Sequence, residues 1–495
     1  MAKRINRISK SQYVKGLQCP KALWFYRHRP DLAPEISESK QALFDVGNEV
    51  GELAKKYFKN GIEITEEYYE ITKAIKSTEN AVKNGKNVIY EATACSNDGA
   101  YSRIDILKKV RASDTWDLIE VKMSTSVQDY HIDDMALQRY AFVGAGYNIR
   151  KSILMHINNQ YVRSGDIEIK KLFNLEDCTK IINDRLDVVG KNVRELLKLI
   201  NSDKEPEIEF GSQCYSPFEC DYIHHCMKHI PDYSVYNIFR GSKLETLLSD
   251  NIIELEDIPD DFDVTERQSI DIEAWKKNKL YKDKHGIKEF LNTLEYPLYF
   301  LDYETIYPAL PLYDNSRPYQ QIPFQYSLHI QKKRGGSLQH IEFLYTDEDD
   351  PRPSFIMSLI ENCGKKGSVV VYNQSFENRI NRELSLDFPR HKAALKSISD
   401  RMIDLLVPFR SRLLYHPEMK GSASLKAVLP AFVPRMSYDK LEIQDGGMAS
   451  ILYMSCMRGM VTEDEKQKIY GDLKDYCCQD TLAEAKLLEV LYKNG

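Results

Sequence analysis

The spacing of apolar residues divides the first half of the chain into helical and strand-like parts. Apolar positions recur at helical spacing over 11–28 and over 40–59, as in ALFDVGNEVGELAKKYF, which predicts two helices. From 87 to 122 they fall into the short runs NVIYEATA, AYSRIDILKKV and TWDLIEVKM, which predict strands. A helical stretch, DMALQRYAFVGAG, and a further strand, KSILMHINN, complete a predicted α/β domain that ends near residue 228.

A second strand-rich block follows an acidic stretch. Residues 229–290 contain ELEDIPDDFD and no strong strand pattern, and we interpret them as a helical connector. Strand patterns then appear in YPLYFLDYETIYP, PFQYSLHI, HIEFLYT and GSVVVYNQ, and GDLKDYCCQDTLAEAKLLEVLYK has the spacing of a helix. The sequence therefore predicts an α/β protein with two domains, over 1–228 and 291–495.

Composition and charge indicate the cellular location of the protein more clearly than its biochemical function. A chain of 495 residues exceeds what one core usually supports, and 42% hydrophobic with 29% charged residues is typical of a folded cytosolic protein. No apolar run approaches the roughly 20 residues that span a bilayer, and the basic start MAKRINRISKSQY is not followed by an apolar signal core. We therefore expect a cytoplasmic protein without a membrane partner. The net charge of −6 does not favour nucleic-acid binding, which would require clustered basic residues and metal ions at any acidic site.

Acidic residues in the second block follow the periods of the predicted elements. Asp302 and Glu304 stand two apart in YFLDYETI, so a strand projects both carboxylates from one face. The two carboxylates repel each other unless a cation lies between them. This arrangement suits the binding of one or two hard metal ions. Glu377 follows VVVYNQSFE, where a strand gives way to a helix, and Tyr476 and Asp480 are four apart on one helical face.

These three segments resemble the motifs of a nuclease family. D-x-E, N-x-x-F-E and Y-x-x-x-D resemble the DnaQ-like DEDD exonucleases of the tyrosine subclass. The resemblance implies an RNase H-like fold that removes nucleotides from DNA or RNA, usually 3′ to 5′. It implies two Mg²⁺ or Mn²⁺ ions and a tyrosine, Tyr476, that orients or activates the attacking water; the implied ligands are Asp302, Glu304, Glu377 and Asp480. The second motif departs from the family, because it usually ends in Asp and Glu377 carries an extra methylene.

A second group of polar residues lies in the first strand block. Glu120 and Lys122 share a strand face in LIEVKM, and Asp105 in RIDILKKV fits the neighbouring strand of a hairpin. Two carboxylates with a lysine can bind a metal ion and orient or deprotonate water. D-x(14)-E-x-K, with Gln138 and Tyr140 on the next helix, resembles the PD-(D/E)XK nucleases of the RecB-like group. That resemblance implies a restriction-endonuclease-like fold, with Mg²⁺ or Mn²⁺ at this site if it is active.

Two departures leave cleavage at this second site open. Many relatives carry G-x-x-x-H on a helix, whereas GNEVG places Gly51 where histidine would ligate the metal. Gln138 and Tyr140 are two apart, where the usual motif has four. Three acidic residues are candidates to replace the missing ligand: Glu49, Glu52 and Glu91.

The cysteines extend the RecB-like resemblance. Cys19 precedes the predicted domain core, and Cys214, Cys220 and Cys226 follow it as C-x5-C-x5-C. RecB-like nucleases of CRISPR adaptation and the AddB recombination subunit have one cysteine before and three after the core. This implies a [4Fe–4S] cluster that joins the ends of the domain. The alternative is structural zinc with His224 or His225, although zinc knuckles usually contain C-x2-4-C. We expect buried thiols at the other six cysteines: Cys95, Cys178, Cys363, Cys456, Cys477 and Cys478.

The two resemblances together predict a nuclease. The chain resembles bacterial proteins that fuse a RecB-like domain to a DnaQ-like domain, over about 10–228 and 295–492. We expect a metal-dependent enzyme that hydrolyses DNA or RNA, with single strands favoured, in repair, RNA processing or defence against mobile DNA. Two alternatives stay open: a nucleic-acid-binding module with one or both sites inactive, and a phosphodiesterase for small nucleotides. GSASLKAVLP further predicts a helix capped by Ser424, with Lys426 either contacting a phosphate or solvated.

Overall fold

The computed structural model describes residues 6–495, which form a mixed α/β structure with several sheets and many helices. The contacts divide the chain into two compact units. The first extends through His229 and also includes Ala309–Tyr319. The second contains Ile230–Pro308 and Gln320–Gly495.

The first unit is built on a seven-stranded mixed sheet. Its strands are β1 (Ile8–Ser9), β2 (Ile62–Glu63), β3 (Val88–Cys95), β4 (Ala100–Lys109), β5 (Trp116–Lys122), β6 (Ile149–Ile157) and β7 (Phe173–Asp177). The order is β2-β3-β4-β5-β6-β7, and β1 pairs with β4. The pairs β3–β4, β4–β5 and β6–β7 are antiparallel, whereas β5–β6 is parallel. Adjacent strands β4 and β5 carry the predicted Asp105, Glu120 and Lys122.

Nine α-helices surround this sheet in the described part of the unit. They are α1 (Lys10–Gln18), α2 (Pro20–His28), α3 (Glu38–Tyr57), α4 (Ile71–Lys83), α5 (Asp129–Gly144), α6 (Ile169–Leu172), α7 (Thr179–Asn183), α8 (Leu186–Ile200) and α9 (Ile223–Met227). The helix predicted over 11–28 is two helices, because Pro20 lacks an N–H group and favours the first position of a new helix. Cys19 consequently lies at the junction. The apolar face of α5 packs into the core through residues such as Ile132, Leu137 and Ala141.

The second unit contains a five-stranded sheet and a separate strand pair. Its strands are β8 (Tyr281–Lys282), β9 (Leu298–Ile306), β10 (Ile322–Gln331), β11 (Leu338–Leu344), β12 (Val369–Val371), β13 (Met402–Asp404) and β14 (Leu414–Tyr415). The main sheet has the order β11-β10-β9-β12-β13, and β8 pairs with β14. Strands β9, β10 and β11 are antiparallel, whereas β9, β12 and β13 run parallel.

The helices of the second unit include one of 32 residues, α20. They are α10 (Val235–Ile238), α11 (Gly241–Ser249), α12 (Glu266–Lys276), α13 (Lys284–Asn292), α14 (Pro351–Asn362), α15 (Ser375–Asp387), α16 (Lys392–Ser399), α17 (Leu406–Arg410), α18 (Leu425–Phe432), α19 (Gly446–Met457) and α20 (Glu463–Asn494). Thr462 caps α20 by accepting a hydrogen bond from the Glu465 N–H. Because α20 packs against β9 and β10, its buried side chains meet the sheet face that carries Asp302 and Glu304.

The segment interpreted from sequence as a connector is a packed part of the second unit. Residues 230–292 contain α10 to α13, and Tyr233, Phe239 and Leu255 contribute to a core of their own. The buried Arg412 guanidinium donates two hydrogen bonds to Asp271 on α12, at 2.5 and 2.8 Å. Burial of apolar residues and this ion pair therefore fix the segment against its own unit.

Across residues 6–495, no helix combines the length and apolar character that a bilayer crossing requires.

Candidate functional sites

The four predicted carboxylates of the second unit come together between the sheet and two helices. Asp302 lies opposite Ser327 and Glu304 opposite Gln325 in the β9–β10 register, so both carboxylates project from one face. Glu377 lies in the first turn of α15, and Asp480 lies within α20. Glu304, Glu377 and Asp480 are buried, and Asp302 is half-buried. The predicted set is therefore one cluster in space, although it comes from three elements.

Each carboxylate of this cluster holds its proton more tightly than an isolated acid. Burial, followed by the charges of Asp480, Glu304 and Glu377, raises the pKa of Asp302 well above its ordinary value. Burial and Asp480 do the same for the pKa of Glu304. Burial raises the pKa of Asp480 to about 7 and that of Glu377 to about 8. A cation among the carboxylates would therefore favour their ionised forms.

The chain supplies part of that positive charge from the surface. Lys426, on α18, is exposed, and its ammonium group lowers the pKa of Glu304 and of Asp480. These effects are smaller than that of burial, because the pKa of both acids still lies above its ordinary value. Ser424 is the N-cap residue of α18, where the sequence predicted it, but its side chain makes no capping hydrogen bond.

A further acid, Glu484, extends the cluster along α20. It lies one helical turn beyond Asp480 and only 1% of its surface is exposed. Burial, then Asp302, Glu377 and Asp480, raise its pKa well above the ordinary value. Sequence reasoning missed Glu484, although Tyr476, Asp480 and Glu484 continue one four-residue spacing on a helical face.

Two oxygen atoms in this cluster have no protein partner. Glu377 Oε2 and Glu484 Oε2 are buried, and neither receives a hydrogen bond within the described part of the chain. A buried carboxylate oxygen without a partner is costly, and a metal ion or a donor group offsets that cost. The donor set of oxygen atoms fits hard divalent cations such as Mg²⁺ and Mn²⁺.

Two tyrosines contact Asp480. Tyr476 shares its helix face, and its hydroxyl acts to lower the pKa of Asp480. Tyr438 donates a hydrogen bond to Asp480 Oδ1, and the two tyrosine rings lie 6.0 Å apart. Tyr438 precedes α19 and belongs to no recognised motif, so the sequence offered no means of finding it.

Asp404 and Cys477 support the cluster from its edges. Asp404 Oδ1 accepts hydrogen bonds from the backbone N–H groups of Asn373 and Leu406, at 2.9 and 3.0 Å. It thus holds the start of α17 and also the turn that leads to Glu377. Cys477 is buried, and its Sγ lies 3.6 Å from Asp302 Oδ2. The side chains of Asp302, Glu304 and Cys477 offer ligand atoms that all lie within 4.8 Å of one another.

The predicted site of the first unit is also assembled, but it contains its own cations. Glu120 Oε1 lies 2.7 Å from Lys10 Nζ and 2.8 Å from Lys122 Nζ. Glu120 Oε2 accepts a hydrogen bond of 2.6 Å from Gln138 Nε2. Lys122 Nζ also lies 2.9 Å from Asp134 Oδ2. The Glu120 carboxylate is therefore fully engaged by side chains of the protein.

The two predicted acids of this site have opposite pKa shifts. Burial, then the charge of Glu120, raises the pKa of Asp105 to about 8, and Asp105 Oδ2 accepts a 2.6 Å hydrogen bond from Val121 N–H. Burial also acts to raise the pKa of Glu120, but the charges of Lys10 and Lys122 outweigh it and hold that pKa below its ordinary value. Lys10 was missed from sequence, because it lies 110 residues before Glu120.

Other residues considered for this site are not all close to it. The Tyr140 hydroxyl donates a 2.6 Å hydrogen bond to Asp98 Oδ2, whereas Gln138 contacts Glu120, because positions two apart on a helix face different directions. Glu52 pairs with Lys55 at 2.6 Å. Glu91 is closer to the site, since burial raises its pKa and Lys10 and Glu120 both act on its charge. Among residues 6–495, and apart from the backbone of its own helix and its chain neighbours, no atom lies within 4 Å of the position that a Cβ of Gly51 would take.

Four of the six cysteines of the first unit line one small cavity. Cys19 reaches it from the α1–α2 junction, and Cys214, Cys220 and Cys226 reach it from the segment around α9. All four are free thiols. Burial raises the pKa of the last three, while Lys15 beside Cys220 and Lys21 beside Cys226 act in the opposite direction. Cys19 and the three later cysteines are therefore brought together as the sequence predicts.

The two histidines that precede Cys226, His224 and His225, have a different environment from the four cysteines. Among the described residues that line the cavity are all four cysteines and neither His224 nor His225. The His225 ring instead packs edge-on against Phe25, with centroids 5.1 Å apart. The cavity therefore presents four sulfur donors, and its geometry alone leaves the choice between an iron–sulfur cluster and zinc open.

Comparisons with other proteins find similarity over part of the chain and name no reaction. Residues 299–424 match the model of a domain of unknown function, DUF2779, and this range includes Asp302, Glu304 and Glu377. The chain is 28% identical over 237 residues to Uncharacterized protein MG366 of Mycoplasma genitalium, which covers 44% of this chain and 35% of that protein.

Two further relatives have slightly lower sequence identity to this chain. The Uncharacterized protein MG366 homolog of Mycoplasma pneumoniae is 25% identical over 230 residues, covering 43% of this chain and 34% of that protein. Uncharacterized protein UU173 of Ureaplasma parvum is 26% identical over 231 residues, covering 42% and 33%. The matched part of the chain thus spans about a third of the length of these curated relatives. No solved structure matches the chain.

Proposed function

We propose that the chain is a metal-dependent nuclease whose principal active site is the carboxylate cluster of the second unit. The proposed reaction is hydrolysis of phosphodiester bonds from the 3′ end of single-stranded DNA or RNA. The observation that carries the proposal is the concentration of Asp302, Glu304, Glu377 and Asp480 in a buried space, where their pKa values rise together. The mixed sheet beneath them is compatible with the RNase H-like fold that the DEDD resemblance implies.

We assign a separate role in the proposed reaction to each residue of the site. When bound, Mg²⁺ or Mn²⁺ would activate water and stabilise the leaving oxygen. Asp302, Glu304, Glu377 and Asp480 would hold the ions, and Tyr476 would orient the attacking water. Tyr438 belongs to the same proposal as a positioning residue, because its hydrogen bond fixes the Asp480 carboxylate.

Basic side chains for a nucleic-acid backbone lie close to the cluster. Lys426 is exposed and acts electrostatically on Glu304 and Asp480. An open pocket beside α18 is lined by Arg267, Arg410, Asn373 and the segment 421–425. Clustered cations are what an acidic chain needs to bind phosphates. We propose that this surface receives the single strand whose end enters the carboxylate cluster.

The first unit is proposed to be a RecB-like PD-(D/E)XK domain closed by a [4Fe–4S] cluster. Four thiols around one cavity provide the complete ligand set of such a cluster, and Lys15 and Lys21 offset thiolate charge. The cluster would be tested by anaerobic purification followed by iron, sulfide and zinc analysis. About four iron and four sulfide per chain would support it, whereas stoichiometric zinc without iron would identify the structural-zinc alternative.

The first unit also favours a second candidate function, which is nucleic-acid binding without cleavage. Lys10 occupies the position beside Glu120 where a metal ion would otherwise offset the carboxylate charge. The Asp105, Glu120, Lys122 and Gln138 site is therefore proposed as a nuclease site only if a metal ion displaces Lys10. Otherwise this unit would hold the substrate for the second unit.

The proposal is tested by cleavage of 5′-end-labelled single-stranded DNA and RNA with Mg²⁺ or Mn²⁺. Wild type would produce a ladder of products shortened from the 3′ end. Asp302→Asn should reduce kcat/KM by roughly 1000-fold, because it removes a metal ligand. Asp400→Asn is the matched control, since Asp400 is exposed and pairs with Lys396 on α16.

Other outcomes separate the alternatives. Internal or 5′ cleavage that Lys122→Met abolishes would establish the first unit as a second nuclease. Binding of either strand without cleavage by wild type would overturn the nuclease proposal in favour of the binding module. Hydrolysis of dinucleotides with no action on long strands would identify a small-molecule phosphodiesterase.

A further inference from the structure

A separate group of metal-ligating side chains lies on the sheet of the second unit. It consists of His329 on β10, His340 on β11 and Cys478 on α20. The three side chains offer ligand atoms that all lie within 4.8 Å of one another. His329 and His340 are direct partners in the β10–β11 register, so their imidazoles share one face of the sheet. This group contains two nitrogen donors and one sulfur donor, unlike the carboxylate cluster.

Each imidazole is oriented by a hydroxyl group through one of its nitrogens. His329 Nδ1 lies 2.8 Å from Thr481 Oγ1, and His340 Nε2 lies 3.0 Å from Ser327 Oγ. These contacts leave His329 Nε2 and His340 Nδ1 for another partner, and the latter lies 4.0 Å from Cys478 Sγ. Histidines that bind metals are typically fixed in this way, with the second ring nitrogen hydrogen-bonded to a neighbouring polar group.

Charged side chains lie beside this group. The carboxylates of Glu342 and Asp475 both act on the Cys478 thiol, and Glu342 also pairs with Lys474 at 3.1 Å. Burial, followed by His340, lowers the pKa of His329 to about 4. The neutral imidazole is the form that ligates a metal ion.

We infer that His329, His340 and Cys478 bind one Zn²⁺ ion or a similar borderline-soft transition metal. Two imidazoles and a thiolate select this class of cation, whereas oxygen donors select Mg²⁺ and Mn²⁺. The site is thus chemically distinct from the carboxylate cluster and does not depend on nuclease activity. A solvent molecule or a nearby carboxylate would provide the fourth ligand of the metal ion.

A metal ion at this site would join the β10–β11 hairpin to α20. Cys478 stands between Cys477, which contacts Asp302, and Asp480 of the carboxylate cluster. Thr481 and Ser327 are also hydrogen-bonded to each other at 2.7 Å. Binding would therefore fix the rotation of α20 that presents Asp480 to the sheet.

The inference is tested on the full chain, stripped with a chelator and then equilibrated with Zn²⁺. Metal content after gel filtration is compared between wild type, His340→Ala and Cys478→Ser. We expect each variant to retain one zinc ion fewer than wild type, while Cys95→Ser, a control outside this group, retains the full amount. Because His340 is exposed, His340→Ala keeps the fold even if Cys478→Ser does not.

Cobalt provides a second readout that separates this site from the four-cysteine cavity. A Co²⁺ titration of wild type should show a thiolate charge-transfer band that is partly lost in His340→Ala. Zn²⁺ should also raise the Tm of wild type more than that of His340→Ala. Equal zinc content, equal cobalt spectra and equal Tm shifts in wild type and variants would overturn the inference.

Discussion

The two acidic sites differ in where their positive charge comes from. In the first unit, Lys10 and Lys122 place ammonium groups 2.7 and 2.8 Å from the Glu120 carboxylate. In the second unit, Asp302 and Glu304 lie in a group of acids where burial, followed by mutual repulsion, raises their pKa values. The sequence indicates both sites by acidic residues on strands. Only the tertiary contacts show that the first site has ammonium groups of its own beside the carboxylate.

The direction of each pKa shift shows whether the folded state favours the charged or the neutral form of the acid. The lowered pKa of Glu120 means that the folded state favours its charged form. The raised pKa values of Asp302 and Glu304 mean that the folded state disfavours theirs. The carboxylate cluster of the second unit therefore gains from an external cation, whereas Lys10 and Lys122 already offset the charge of Glu120 in the first unit.

The largest expected effect is on the stability of the first unit. Glu120→Gln should destabilise it by about 2–4 kcal/mol at pH 7, because two ammonium groups lose their buried partner. The depressed pKa of Glu120 means that its contribution is present above the ordinary pKa of a glutamate and is lost as pH falls through the folded value. Urea unfolding at pH 7 and at acidic pH measures both effects. Glu168→Gln, which breaks an exposed pair with Lys171, is the control and should change little.

The same kind of substitution in the second unit should have the opposite sign. Asp302→Asn should stabilise the metal-free protein by about 1–2 kcal/mol, because it removes one of several mutually repelling buried acids. Mn²⁺ should raise the Tm of wild type and have little effect on the variant, since a ligand is lost. Thermal unfolding with chelator and then with Mn²⁺ provides the measurement. Loss of stability in metal-free Asp302→Asn would break the contrast between the sites.

Metal binding to the second unit should depend on pH. Asp480 and Glu377, with pKa values raised to about 7 and about 8, retain protons near neutral pH in the metal-free protein. Mn²⁺ must displace these protons, so its affinity should be more than about tenfold higher at pH 8 than at pH 6. Calorimetry in two buffers with different ionisation enthalpies would detect the released protons. An affinity that stays constant over this range would refute the prediction.

The smallest expected effect concerns the cation of the first unit. Lys10→Met should change stability by only about 1 kcal/mol, because Lys122 still neutralises Glu120. It should allow a weakly bound Mn²⁺ ion near Asp105 and Glu120, detectable by electron paramagnetic resonance. Lys73→Met, on the surface of α4, serves as the control. If wild type already binds Mn²⁺ there as tightly as Lys10→Met does, the chain's own lysine does not substitute for the metal.

Local periodicity accounts for much of the candidate chemistry. The two-residue period of β9 places Asp302 and Glu304 on one face, and the four-residue spacing on α20 aligns Tyr476 with Asp480. The same rule extended by one turn would have included Glu484. These features are visible in sequence because each depends on a single element.

Contacts between distant segments account for what sequence reasoning missed. Lys10 reaches Glu120 across 110 residues, and Tyr438 reaches Asp480 across 42. No spacing rule connects such pairs, since the fold brings them together. The sequence predicted the helical character of the segment interpreted as a connector but did not reveal its packing, because its apolar residues, including Phe239 and Leu255, form a core only after folding.

The most direct test of the account is a crystal structure of the protein grown with Mn²⁺ and measured at a wavelength where manganese scatters anomalously. We predict anomalous peaks among the carboxylates of Asp302, Glu304 and Asp480, and no peak of comparable height beside Glu120, where Lys10 lies. Ordered carboxylates in the second unit without manganese between them would contradict the central claim.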